Sequence, residues 1–147
     1  MWWERVGAKI ASEAVAPHDN SRDPDRRLVL GYVSSDFNAH SAALIFKPVL
    51  QHHDRTQFHI TVYASPIRAD DAFARMRRLA DTWQPITRLS DAQLAETIRA
   101  DEVDILADLS GHTPGNPLAA FAPKPAPTPT RATSRSHPGM GRSRAMR

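Results

Sequence analysis

The sequence predicts an α/β fold, a parallel sheet with helices on its faces. Short runs dense in Val, Ile, Leu, Tyr and Phe recur at 28–33, 58–64 and 103–109, with a weaker one at 83–86. Segments with helical spacing of apolar residues separate them, and such alternation marks a parallel sheet covered on both sides. The first run, Leu28-Val29-Leu30-Gly31-Tyr32-Val33, is continuously apolar rather than alternating, as a strand buried on both faces requires.

Residues 2–16 read as a helix, with Trp2, Val6 and Ile10 at i, i+4 and i+8 and Trp3 widening the apolar face. Pro17 closes it, and 17–27 is a polar connector. After the strand at 28–33, Ser34, Ser35, Asp36 and Asn38 are loop or cap residues. A helix from about Ser41 to His53 is expected to turn Leu44, Ile45, Val49 and Leu50 toward a core. Pro48 inside it is expected to kink it or split it into two short pieces. Phe58 to Ala64 is the second strand, rich in β-branched and aromatic residues. Asp70 or Asp71 caps a helix running to about Leu79, with Phe73, Met76 and Leu79 on one side. Trp83 to Ile86 is a weak third strand, interrupted by Pro85. Ser90 and Gln93 form a near capping box, opening a helix that buries Leu94, Ile98 and Ala95. Val103 to Leu109 is the fourth strand.

After Pro114 the texture changes, since seven of the twelve prolines lie from there onward. A short helix fits Leu118 to Ala122. From Thr128 to Arg147 no apolar periodicity remains, and this stretch reads as a disordered basic tail. The expected organisation is therefore an N-terminal helix and connector at 1–27, a sheet domain at 28–127 and a tail at 128–147.

The net charge of +3 is unevenly placed. From Leu109 to Arg147 there are six basic residues and no acidic one, so residues 1–108 are net acidic. No aromatic residue is interleaved with the tail arginines for base stacking, so nucleic acid is not the expected partner. Cysteine is absent, which excludes disulfides and thiolate metal sites and agrees with a reducing, cytoplasmic compartment. The charged start does not fit a signal peptide, and no apolar stretch approaches the roughly 20 residues that span a bilayer.

In an open parallel sheet, ligands bind at the carboxyl ends of the strands. Two polar clusters are expected there. The first strand leads into Ser34-Ser35-Asp36-Phe37-Asn38-Ala39-His40, the fourth into Ser110-Gly111-His112-Thr113-Pro114-Gly115-Asn116. Two imidazoles, a carboxylate and glycines that let backbone N–H groups approach an anion suit a sugar phosphate. Simpler roles stand beside these: Asp36 as a helix cap, His40 as a helix-start residue, His112 as a turn residue. His52, His53 and Asp54 read as a solvated helix end, because adjacent histidines point to different sides of a helix. Trp83 reads as core, and Arg75, Arg77 and Arg78 as an exposed helical face. No G-x-G-x-x-G, P-loop or G-x-S-x-G is present.

Leu28 to Ser41 resembles the opening of the catalytic region of the O-GlcNAc transferase (SPINDLY-like) family. Asp104 to Asn116, followed by Lys124-Pro125-Ala126-Pro127, resembles its second signature. His53-Asp54-Arg55, Tyr63 and Leu89-Ser90-Asp91 fit at consistent spacing, so the likeness spans roughly 1–127. The resemblance implies part of the N-terminal Rossmann-like lobe of a two-lobed (GT-B) enzyme. It implies transfer of N-acetylglucosamine from UDP-GlcNAc to serine or threonine hydroxyls, with inversion, with no cofactor beyond the nucleotide sugar and no required metal. Related members use other nucleotide sugars. His40 matches the family's essential active-site histidine, and Gly111, His112 and Thr113 its loop beside sugar and acceptor. Asp36 and Asn116 fall within the same signatures as substrate-binding candidates.

The sequence also departs from the family. Pro127 leads into Thr128 to Arg135 without the family's next strand and tryptophan, and neither the second Rossmann lobe nor the preceding TPR repeats are seen. Glu102 stands where the family usually has glycine. The expectation is a chain holding part of the enzyme, inactive alone, whose tail reads like a shifted reading frame. The alternatives are a noncatalytic flavodoxin-like binding module or a nonfunctional gene fragment.

Overall fold

The computed structural model describes residues 17–34, 41–64, 71–110 and 118–131. The expected helix at 2–16 and everything after Arg131 lie outside them. The elements are β1 (Leu28–Ser34), α1 (Ser41–His52), β2 (Phe58–Ala64), α2 (Asp71–Arg77), β3 (Thr82–Pro85), α3 (Asp91–Ala100), β4 (Ile105–Asp108), a 3₁₀ turn (Leu118–Phe121) and β5 (Thr128–Arg131). The five strands form one parallel sheet in the order β3-β2-β1-β4-β5. Successive strands step outward from β1 on one side, then the chain crosses to the other side for β4 and β5.

Two apolar cores sit on the two faces of the sheet. One gathers Val33, Tyr63, Leu106 and Val103 under Leu94 and Ile98 of α3, with Ala120 and Ala126. The other gathers Leu30, Ile60, Val62 and Ala64 under Leu50 of α1 and Met76 of α2. Gly31 in β1 is set by steric need. A methyl group there would meet Leu106 Cδ1 and Val103 Cγ1 at 2.9 Å.

The amino rim of the sheet carries a repeated carboxylate lock. Asp104, just before β4, donates its N–H to the Val29 carbonyl (2.9 Å) and accepts the Val29 N–H on Oδ2 (2.8 Å). Asp81, just before β3, does the same to Ile60, at 2.9 Å and 2.8 Å. Each carboxylate takes a strand N–H lying one step before the parallel ladder begins, which burial would otherwise leave costly. Arginines hold the carboxylates in turn. Arg26 grips Asp104 with both terminal nitrogens, while Asn20 Nδ2 reaches Asp104 Oδ1 (2.8 Å) and the Glu102 carbonyl (2.7 Å). Arg55 donates to Asp81 (2.6 Å) and to the carbonyls of Leu50 (2.9 Å) and Leu79. The connector 17–27, expected as a plain polar link, is therefore pinned across the amino rim. Burial pushes the Asp104 and Asp81 carboxyls up, but the arginine and backbone N–H partners outweigh it and hold both below the usual range.

The capping box is formed: Gln93 N–H donates to Ser90 Oγ (3.2 Å) and Ser90 N–H to Gln93 Oε1 (2.9 Å), and Leu94, Ala95 and Ile98 are buried as expected. Helix α3 ends at Asp101, whose carboxylate accepts the Tyr63 hydroxyl at 2.6 Å; burial, and then this carboxylate, drive that phenol far above its usual range. Glu102 follows at φ 51°, a left-handed conformation that favours glycine.

Five expectations are corrected. Helix α1 runs unbroken through Pro48, which is exposed, so the Leu44 carbonyl it leaves unpaired lies on the solvent side. Of the four residues assigned to its core face only Leu50 is buried, while Leu44 is 73% and Ile45 65% exposed. The sheet takes Leu50, the half-buried Phe46 and His53 instead. His53 is not solvated: its Nε2 lies 2.7 Å from the Tyr32 hydroxyl, and burial, then Arg55, lowers its pKa. Asp54 does serve as a turn, accepting Thr56 N–H (2.9 Å) and its hydroxyl (2.6 Å).

The other two corrections concern prolines in strands. Pro85 does not interrupt β3, and residues 128–131 are a strand rather than the start of a disordered tail. Ile86 N–H donates to the Ala64 carbonyl (3.0 Å) and Thr128 N–H to that of Asp104 (3.2 Å). By alternation the nitrogens of Pro85 and Pro129 face the free edges, where no donor is needed. Both outer edges are thereby blunted against strand addition.

Three outcomes follow for stability. Glu102→Gly raises it by about 1 kcal/mol by removing left-handed strain, read as a higher Tm. Gly31→Ala lowers it by about 1–3 kcal/mol through overpacking against Leu106 and Val103, read by denaturant unfolding. Because the folded pKa of Asp104 is depressed, its contribution is full above the unfolded value of about 4 and is lost as pH falls through the folded one. Melting followed below that pH should fall less steeply in Asp104→Asn than in the parent chain.

Candidate functional site

In this strand order the chain reverses direction between β1 and β4, the topological switch point where open α/β sheets form their ligand crevice. The two strands end level there. Val33 is in register with Asp108, and Leu109 N–H donates to the Val33 carbonyl at 3.0 Å. The segments that continue from these ends, 35–40 and 111–117, are those that carry the sequence candidates. Asp36, His40, Gly111, His112, Thr113 and Asn116 themselves lie outside the described residues. What is described is the base from which both polar segments depart, on adjacent strands and at one rim.

The base is polar and closed. Ser34 at the end of β1, and Asp108 and Ser110 at the end of β4, are all buried. Asp108 Oδ1 accepts the Ser110 N–H at 3.0 Å, bending the chain as it leaves β4. Asp108 was not among the sequence candidates. Its signal was a carboxylate inside the otherwise apolar Ile105-Leu106-Ala107-Asp108, a residue type that strands bury only with partners. Ser34 is the last residue of β1 rather than part of the following loop. Chemically, the two strand ends present small and acidic side chains at one rim, next in the chain to two histidine-bearing segments. That suits a hydroxyl-rich or phosphorylated ligand better than an apolar one.

A concavity of about 410 Å³ lies at the opposite, amino rim between the connector and α3, lined by Pro17, Asp19, Asn20, Glu96, Arg99, Ala100 and Glu102. Arg99 is committed there to structure, donating to the carbonyls of Pro17 (3.3 Å), Pro123 (3.1 Å) and Lys124 (3.3 Å). Among the described residues no group of three or more His, Asp or Glu is arranged to hold a metal ion. Also among them, no helix is long and apolar enough to cross a membrane.

Comparison with known proteins bears on this crevice. The family model of glycosyl transferase family 41 matches residues 4–141. The chain is 39% identical over 113 residues to the probable UDP-N-acetylglucosamine–peptide N-acetylglucosaminyltransferase SPINDLY of Solanum lycopersicum, and 36% identical over 113 residues to that of Arabidopsis thaliana. Each match covers 74% of this chain and 12% of the relative. A solved O-GlcNAc transferase mutant from Thermobaculum terrenum matches with a TM-score of 0.79 at 38% identity, over 88% of this chain and 25% of that one. The sheet is therefore like a Rossmann-like lobe of a solved O-GlcNAc transferase, and the chain spans a small part of its relatives' length.

Proposed function

Because this chain belongs to glycosyltransferase family 41, we propose that its switch-point crevice forms part of a site that transfers N-acetylglucosamine from UDP-GlcNAc to serine or threonine hydroxyls of a protein. The observation that carries this reading is the level, adjacent exit of β1 and β4, from which the two signature segments depart. The relatives' names supply the donor and the peptide acceptor.

In the proposed reaction the acceptor oxygen bonds to the anomeric carbon on the face opposite the diphosphate. The bond from that carbon to the diphosphate oxygen breaks, and its electron pair leaves with UDP. The hydroxyl proton passes to a base, and the sugar is inverted. His40 contributes its imidazole at the reacting centre, and Gly111, His112 and Thr113 border sugar and acceptor. Asp36 and Asn116 help hold the substrates. Such a step depends on in-line placement of the hydroxyl and on positioned donors for the leaving diphosphate, with no metal required. The cysteine-free composition suits action in the cytoplasm.

The chain spans 12% of the matched tomato relative and 25% of the matched solved enzyme. The 147-residue polypeptide mixed with UDP-GlcNAc and an acceptor peptide should therefore give turnover near background; a rate comparable to that of an intact family enzyme would overturn this. Any transfer measured should fall at least about 100-fold in His40→Ala. An unchanged rate would remove His40 from the mechanism.

A further inference from the structure

Helix α1 is apolar on two sides. One side lies on the sheet through Phe46, Leu50 and His53. The other is a continuous outward stripe of Leu44, Ile45, Pro48, Val49 and His52, at i, i+1, i+4, i+5 and i+8. Leu44, Ile45 and Val49 are 73%, 65% and 40% exposed, and of the large apolar side chains exposed among the described residues only Leu89 lies elsewhere. An amphipathic surface helix normally turns polar residues to water, so a second apolar stripe marks a contact surface.

Charge indicates what covers it. On α1 and α2, which pack side by side, the exposed ionised groups are Lys47, Arg75, Arg77 and, just past α2, Arg78, against the single carboxylate of Asp71. A second copy of this chain would set these cations against their own counterparts. The stripe is also only about 12 Å long, too small for the roughly 800 Å² per partner of a stable dimer. Strand addition is disfavoured at both sheet edges by Pro85 and Pro129. A helix laid along α1 matches the stripe's length and its cationic border.

We propose that the α1–α2 face receives an amphipathic helix of a partner polypeptide, with apolar anchors at helical spacing bordered by glutamate or aspartate. The stripe takes the anchors, and Lys47 with the α2 arginines takes the carboxylates. The stripe starts in the first turn of α1, beside the carboxyl rim, and runs along the helix away from it; binding there is read without sugar transfer.

The test uses the whole chain and a synthetic helical peptide of about 18 residues, with leucines at i, i+3, i+4 and i+7 flanked by glutamates, followed by fluorescence anisotropy. Expected is saturable binding that weakens with added salt and falls at least about tenfold in Ile45→Glu. Ile45 is exposed, so circular dichroism and Tm should be unchanged. A chain carrying Arg75→Glu and Arg78→Glu should prefer the same peptide with lysine flanks. No binding, or equal binding of both peptides by the parent chain, would overturn the proposal. So would a concentration-dependent dimer in sedimentation that Ile45→Glu abolishes, since a second copy would then be the occupant.

Discussion

The sheet depends on two aspartates that complete the hydrogen bonding of their neighbours' first turns of ladder. A parallel strand entering beside another leaves an N–H without a partner at the point where pairing starts. Asp104 supplies an acceptor to Val29 and Asp81 supplies one to Ile60, while each main chain donates back to the same residue. The lock fixes both position and direction of the incoming strand. Arg26 and Arg55 then tie the connector and the end of α1 to the same carboxylates. The burial of Asp104 is tolerable because its charge is met by several donors at once.

This arrangement divides the molecule into two rims with different duties. The amino rim is crowded with ion pairs and side-chain locks that serve register. At the carboxyl rim β1 and β4 finish level, and Ser34, Asp108 and Ser110 are buried at their ends. Gly31 makes the division possible on one face. Without a side chain at that point, Leu106 and Val103 close onto β1, which keeps β4 beside it. Two adjacent strands ending level at the switch point give a rigid base of the kind from which open α/β sheets present their ligand-binding loops.

The surface shows a related economy. Both edge strands carry a proline whose nitrogen faces outward, so the open sheet does not invite another strand. Apolar exposure is concentrated on α1, where Pro48 sits harmlessly because its missing N–H falls on the solvent side.

Much of the framework was legible in the residues because it is local. The apolar runs mark β1, β2 and β4. The Ser90–Gln93 box starts α3, and strand–helix alternation dictates parallel pairing. The expectation of a site at the carboxyl rim followed from the same alternation, whereas the roles expected of His40 and the Gly111–Thr113 segment came from resemblance, since spacing alone left caps and turns as equal readings. Tertiary structure decided the rest. A helix with apolar residues all round has no local reason to prefer one side, so only the sheet selected Phe46 and Leu50 over Leu44 and Ile45. His53 turned inward because Tyr32 of β1 stands opposite it. Pro85 and Pro129 are compatible with strands only by virtue of facing an edge, and β5 exists because β4 presents an unpaired ladder to Thr128. Each depends on a partner distant in the chain, which no local pattern encodes.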